Sequence, residues 1–207
     1  MIIDTVRALG DAFKLASDGR HCFPCTSSKR PATPHGFLDA SADPVALREF
    51  WARYAGPLVG VRTGCTSGID TLDLDRKHRE AMVWWASHRD RLPVTRVHRT
   101  RSGGLHLVFQ HAPDIRYSAS RIAPGIDVRG NGGYVIRWPA TGLPVLNNAP
   151  FAPWPDWLGA QLVPSRQAVA PGITVPDGHA VMRLVQLIAR ARPGESGIRA
   201  TGGLAHA

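Results

Sequence analysis

An α+β fold is predicted for this chain on three observations. Helix-like and strand-like segments mix in its first half. Short strands parted by glycine turns dominate afterwards. No apolar run approaches the roughly 20 residues that a membrane span needs. With 207 residues, 43% of them hydrophobic, the chain can bury one medium core and carry a small appendage.

The elements follow in order. Residues 5–17 keep a helical period, with Val6, Leu9, Phe13 and Ala16 on one side. Residues 20–24 read as a short strand, and residues 26–34 as a polar loop carrying Lys29 and Arg30. Asp43 and Pro44 open a helix, the first as N-cap and the second with its φ preset for the first turn. That helix runs over residues 45–54, with Leu47, Phe50, Trp51 and Tyr54 at helical spacing. Strands are expected at residues 58–62 and 68–74, joined by a glycine-containing turn. Residues 77–91 are helical, with Trp84 and Trp85 packing inward, and Pro93 stops them.

Four more strands are expected, at residues 94–99, 105–110, 126–129 and 133–137. Gly103-Gly104 makes the first pair a hairpin, and Gly130-Asn131-Gly132-Gly133 turns the second. Residues 139–155 are rich in proline and asparagine and read as irregular, tacked to the core by Phe151 and Trp154, with Trp157 just beyond. The predicted domain spans residues 1–158, a linker residues 159–178, and the start of a truncated helical module residues 179–207. Arg183, Arg190 and Arg192 give that module a basic helix, read either as a packing element with a solvated edge or as a contact to nucleic acid.

Charge narrows the class of partner. Lys and Arg total 25 against 16 Asp and Glu, a net charge of +9. Only Lys14, Lys29 and Lys77 are lysines. Such a balance favours anionic partners, nucleic acid or phosphorylated ligands. The opening Met-Ile-Ile-Asp-Thr-Val-Arg lacks the basic and apolar regions of a secretory signal, so a cytoplasmic location is expected, with no membrane partner.

Against that basic background stand two aspartates, Asp73 and Asp75, in Thr71-Leu72-Asp73-Leu74-Asp75. Residues two apart on a strand share a face, so both carboxylates are expected side by side at a strand end. Close like charges are costly unless neutralised, and a divalent ion such as Mg²⁺ or Mn²⁺ suits carboxylate oxygens. Solvated aspartates in a turn are the other reading.

Three further segments carry chemistry. In Thr100-Arg101-Ser102-Gly103-Gly104-Leu105-His106, the glycine amides can approach an anion closely, and Ser102 and His106 can hydrogen-bond a phosphate. A plain hairpin turn beside a structural histidine is the alternative. In Gly125-Ile126-Asp127-Val128-Arg129-Gly130, Asp127 offers a third carboxylate, and Arg129 on the same face can hold a phosphate. A surface Asp–Arg pair is the alternative there. Lys29, in Ser27-Ser28-Lys29-Arg30-Pro31, can reach a triphosphate or template, or can simply be solvated.

Cys22 and Cys25 have a C-x-x-C spacing, but no second pair completes the four ligands of a zinc site. They are expected to flank a buried strand end. Three cysteines in all suit reduced thiols better than a disulfide framework.

In succession, Phe23-Pro24, Lys29-Arg30-Pro31, Trp51, Gly64, Ser67-Gly68, Leu72-Asp73-Leu74-Asp75, Leu92-Pro93-Val94-Thr95, the stretch Thr100-Arg101-Ser102-Gly103-Gly104-Leu105-His106 and Gly125-Ile126-Asp127-Val128-Arg129-Gly130 resemble the N-terminal domain of bifunctional DNA primase/polymerases (prim-pol). The resemblance covers roughly residues 5–158 and rests on the ordered combination of D-x-D, S-G-G-x-H and G-x-D-V-R-G. It implies the archaeo-eukaryotic primase fold, with a catalytic sheet like that of RNA-recognition domains. It also implies a metal triad of Asp73, Asp75 and Asp127 and nucleotide-phosphate contact by His106. Ser102, Gly103, Arg129 and Lys29 join as candidate nucleotide contacts. The segment after Ile136, Arg137-Trp138-Pro139-Ala140, departs from the usual hydroxyl- and glycine-rich continuation.

The function so implied is template-directed nucleotidyl transfer by a phage or plasmid replication protein, with two divalent ions, Mg²⁺ or Mn²⁺. Its partners are single-stranded DNA template, primer and nucleoside triphosphates. No G-x-x-x-x-G-K-[S/T] loop occurs, so the helicase that typically follows such a domain is expected elsewhere. Two rival readings stand beside it. A metal-dependent nuclease or phosphoesterase is one, although Lys77 occupies the position where an aspartyl-phosphate phosphatase wants Thr or Ser. A non-catalytic module that binds single-stranded nucleic acid is the other, although such modules present aromatics on their strands and these strands carry Asp, His and Gly.

Overall fold

Alternation along the strands sorts this chain into two antiparallel sheets. The computed structural model describes residues 2–163, with side chains from Asp4 onward. Helix α1 (Ile2–Ser17) and helix α2 (Pro44–Arg53) flank strands β1 (Cys22–Cys25) and β2 (Leu58–Arg62). Strand β3 (Ile69–Leu74), helix α3 (Arg79–His88) and strands β4 (Arg96–Arg99), β5 (Leu105–Gln110), β6 (Ile126–Arg129) and β7 (Tyr134–Ile136) follow. Strand β8 (Val145–Asn147) and helix α4 (Asp156–Leu162) complete the described elements. The smaller sheet has the order β1-β2-β7 and the larger β6-β3-β5-β4-β8, every pairing antiparallel.

The expected α+β class is what the described residues form. Asp43 caps α2 through bonds to the amides of Val45 and Ala46, satisfying two donors that the helix itself cannot. Leu47 and Trp51 are the buried side of that helix. Helix α1 differs from expectation on its inner face. Ala8, Ala12 and Ala16 are buried there, Leu9 and Phe13 pack partly, and Val6 is exposed. Small residues every fourth position let α2 and the small sheet approach closely, which the bulkier expected stripe would not.

Strands β2, β5 and β6 have the expected bounds. The first strand starts two residues later than expected, at Cys22, because Asp18, Gly19 and Arg20 close the end of α1 by turning back onto Leu15 and Ala16. The irregular stretch hides a strand: β8 pairs with β4 at the sheet edge, with all three residues exposed. Nothing apolar alternates there, so pattern alone does not reveal it. Helix α4 carries Leu158 and Leu162 into the core, so the expected domain end at Leu158 falls inside a helix. Most of the expected linker and all of the expected C-terminal module lie outside the described residues.

Two cores result. One lies between α1, α2 and the small sheet and reaches Ile69 and Val108 of the large sheet. The other lies under the large sheet, where Leu72, Leu74, Leu107, Phe109, Ile126 and Val128 meet α3 and α4. Each such side chain contributes about 1.5–3 kcal/mol when fully buried. Trp154 stacks on Phe109 at 4.5 Å, so the aromatic anchors of the irregular stretch do hold it to the core.

Cys22 and Cys25 form the two ends of β1. Cys22 belongs to the first core and Cys25 to a separate cluster with Phe23, Leu58, Ile136 and Trp138, as residues three apart on a strand must. Both are free, and burial pushes both thiols up to about 12, so they stay protonated and inert.

Candidate functional site

The second core claims one face of the large sheet, and the opposite face carries ionisable side chains beside Ile69 and Val108. Register builds that face. Asp127 on β6 stands opposite Asp73 on β3, Asp73 opposite His106 on β5, and His106 opposite His98 on β4. Directly opposed residues bring their Cβ atoms to about 4.5–5.5 Å. Four ionisable side chains thus form one row across four strands. A second row, two residues along, runs Arg129, Thr71, Val108 and Arg96.

One pair of the first row is in contact, and Arg129 of the second row reaches two of its carboxylates. His106 Nε2 lies 3.4 Å from Asp73 Oδ1, with the imidazole almost wholly buried. Arg129 Nη2 lies 2.8 Å from Asp127 Oδ2 and 3.8 Å from Asp73 Oδ2, so one guanidinium spans both carboxylates. Its other side rests on the Tyr117 ring, 5.0 Å from the centroid. Burial pushes the Asp73 carboxyl up, but His106, then Arg129 and Lys29, together hold it below the usual carboxylate range. Asp73 is therefore ionised at neutral pH. The Ser120 amide donates to Asp127 Oδ1 and fixes that carboxylate from the far side.

Asp75 sits one residue beyond the end of β3. Its amide donates to the Gly125 carbonyl, and its carboxylate accepts from the Lys77 amide at 3.0 Å. The second aspartate thus shapes the turn into α3 and ties it to the start of β6. The expected side-by-side pair becomes one aspartate within the strand and one in the turn after it.

The hairpin turn lies against the same strand end. Gly104 sits so close to the Leu74 carbonyl that a Cβ would meet that oxygen at 2.2 Å, and Gly103 takes a φ of +85°. Both glycines are required by backbone geometry. Ser102 is exposed, its hydroxyl 3.1 Å from that of Thr100. Lys29 has a positive φ of 71° and lies over the Trp138 ring at 5.5 Å, while its carbonyl accepts from the Tyr134 hydroxyl. Arg101 covers the same tryptophan at 5.3 Å and donates to the Ser27 carbonyl, which links the lysine loop to the hairpin.

Several residues here carry no local signal. His98 is buried, and Arg137 Nη1 lies 2.6 Å from its Nε2, so the imidazole accepts from the guanidinium. Burial first, then Arg137, pushes His98 down to about 3, which keeps it neutral. Asp70 is wholly buried and accepts from His111 Nδ1 at 2.9 Å, Trp154 Nε1 at 3.0 Å and the Ala112 amide at 3.0 Å. It braces the outer end of β3. Arg96 and His98 alternate on β4, the one hint in the sequence that they share a face.

The donor set of Asp73 and Asp127 is hard carboxylate oxygen, which fits Mg²⁺ or Mn²⁺. Among the described residues no group of three or more His, Cys, Asp or Glu is gathered as a metal cluster. Arg129 supplies the positive charge between the two carboxylates. Among the described residues no helix is long and apolar enough to cross a membrane.

A family model for the N-terminal domain of bifunctional DNA primase/polymerases matches residues 12–157. A search of curated proteins found no match. The matched span covers every strand and contains both rows of the polar face. The chain belongs to this family. The family implies a nucleotidyltransferase of the primase/polymerase type that binds DNA and nucleoside triphosphates and generally uses divalent metals.

Proposed function

We propose that this member of the bifunctional DNA primase/polymerase family extends a primer on single-stranded DNA, and starts a strand when a second nucleotide takes the primer's place. The reading includes the archaeo-eukaryotic primase fold, a two-ion mechanism and a place in a phage or plasmid replication protein with a helicase downstream, acting in the cytoplasm. One observation carries it: Asp127, Asp73 and His106 stand in register across three adjacent strands within the matched span.

In the reaction the 3′-hydroxyl oxygen bonds to the α-phosphorus, the bond between the α-phosphorus and the bridging oxygen breaks, pyrophosphate leaves, and the hydroxyl proton passes to solvent. Asp73, Asp75 and Asp127 would hold the Mg²⁺ or Mn²⁺ ions. When bound, these supply Lewis acidity for the hydroxyl and for the phosphate charge. Asp73 orients His106 through their 3.4 Å contact. Asp127 tethers Arg129 at 2.8 Å, where the guanidinium would meet charge growing in the transition state. Ser102 and Lys29 offer donors to the triphosphate, whereas the Gly103 amide, expected to do so, is already bonded to the Thr100 carbonyl across the hairpin turn. Lys29 acts electrostatically on Asp73, which supports its nearness to the site.

The test is a single-stranded template with labelled nucleotides, with and without primer, in Mg²⁺ and in Mn²⁺. Template-dependent extension that disappears in Asp73→Ala and in Asp75→Ala is the expected result. Extension by Asp73→Ala at the parental rate refutes the assignment. Template cleavage that needs no nucleotide supports the nuclease reading in its place.

A further inference from the structure

Between β5 and β6 the chain returns along the outer edge of the large sheet, as a strap beside the candidate site. Ser118 pairs with Val128, each amide donating to the other's carbonyl, at 2.9 and 2.8 Å. The Tyr117 amide donates to the Asn131 carbonyl, and the Tyr117 ring lies against Arg129. The strap then turns at Ser120, which takes a φ of +52°. Among the described residues only Lys29 is another non-glycine with a positive φ. A Cβ disfavours that conformation, so it persists where surrounding contacts enforce it.

Two contacts enforce it here, and each leads to an aspartate of the site. The Ser120 amide donates to Asp127 Oδ1 at 3.0 Å. With Arg129 on Oδ2, both oxygens of Asp127 are held, and each keeps a second lone pair for an ion. The amide is the steadier holder, because it has no net charge to compete with a cation and no rotamer to change. The Ser120 hydroxyl accepts from the Gly125 amide at 3.3 Å. The Gly125 carbonyl in turn accepts from the Asp75 amide at 2.8 Å. Gly125 is itself locked in place, since a Cβ there would meet the His78 side chain at 2.4 Å. A glycine at position 120 would take the φ freely, yet would offer Gly125 no acceptor.

We infer that Ser120 is a positioning residue for two of the three carboxylates, holding Asp127 through its amide and the main chain of Asp75 through its hydroxyl and Gly125. The inference rests on the proposed ion-binding role of Asp73, Asp75 and Asp127. Groups that hold metal ligands from behind fix their orientation, and replacing them costs about 10–100-fold in metal affinity. One residue in a surface loop thereby ties an aspartate of β6 to the aspartate that follows β3.

Titration of Mn²⁺ into the full chain tests it, without nucleotide or DNA, by following the electron paramagnetic resonance of the free ion. Ser120→Val places a β-branched residue where φ is positive, which displaces the amide. It is expected to weaken Mn²⁺ binding about tenfold or more. Ser120→Gly keeps the conformation and the amide but lacks the hydroxyl, and its affinity is expected to fall between those of the valine variant and the parent. Ser120 is exposed, so circular dichroism and melting should show both variants folded, with midpoints close to that of the parent. In primer extension both should need more metal for half-maximal rate and recover much of that rate at saturating metal, a split that a loss of stability does not produce. Parental Mn²⁺ affinity in either folded variant overturns the inference, whether or not the parent extends primers. A parent that binds no Mn²⁺ overturns it together with the ion-binding reading. Binding that depends on Ser120 in a protein that extends no primer leaves the positioning role standing and removes the polymerase reading.

Discussion

The two faces of the large sheet are made by the same strands and do opposite work. On one, Leu72, Leu74, Leu107, Phe109, Ile126 and Val128 are sealed under α3 and α4. On the other, the same strands present Asp73, Thr71, His106, Asp127 and Arg129. A shift of one residue would exchange them, because side chains alternate with period two. The apolar face thus sets the register, and the register places the carboxylates. Rigidity comes from one side, and the ionisable groups stand on the other.

Truncation on the apolar face separates the two roles most sharply. Phe109→Ala empties the space under Trp154 and is expected to cost about 3–5 kcal/mol, much of a domain's stability. Denaturant melting checks it, and activity per folded molecule should persist where the protein still folds. On the polar face, Asp127→Asn is expected to remove primer extension by about a thousandfold, roughly 4 kcal/mol of transition-state stabilisation. Its melting midpoint should stay close to that of the parent. If the aspartate variant unfolds while Phe109→Ala keeps its stability, the division between the faces is wrong.

Asp70 sharpens the comparison, because it is a carboxylate on the apolar face. Asp70→Ala strands three donors, from His111, Trp154 and Ala112, and is expected to cost about 3 kcal/mol. Its effect should appear in stability and not in the activity of the folded fraction. The smallest effect expected is in pH dependence. The unfolded state protonates His98 near its ordinary 6.5, whereas the folded state resists until about 3. The unfolded chain therefore binds more protons between these values, and stability should fall as pH drops through that window. His98→Gln should flatten this slope in melting curves recorded from neutral to acid pH. An unchanged slope would place the titration elsewhere.

Much of this was legible in local sequence. The Asp43-Pro44 cap, the alternation of β2, β5 and β6, and the glycine turns are written in adjacent residues. Likewise, Asp73, His106 and Asp127 stood out by their motifs. What pairs them is register, and register depends on contacts 33 and 54 residues away along the chain (106 − 73 and 127 − 73). Hence Asp73 and Asp75, expected as a matched pair, divide between strand and turn. The same reason hid Arg137, which meets His98 only when the chain just after β7 packs against β4, and Asp70, whose partners come from two later segments. Strand β8 escaped because an exposed edge strand needs no alternation, and Val6 was misplaced because alanines line the inner face of α1.

The account is tested most directly by Asp73→Asn, which keeps the size of the side chain and removes its charge beside His106 and Arg129. The measurement is primer extension on single-stranded DNA, paired with circular dichroism and melting of the same preparation. The account predicts a folded protein with a parental melting midpoint and no detectable extension in Mg²⁺ or Mn²⁺. A folded variant that adds nucleotides at the parental rate would contradict it.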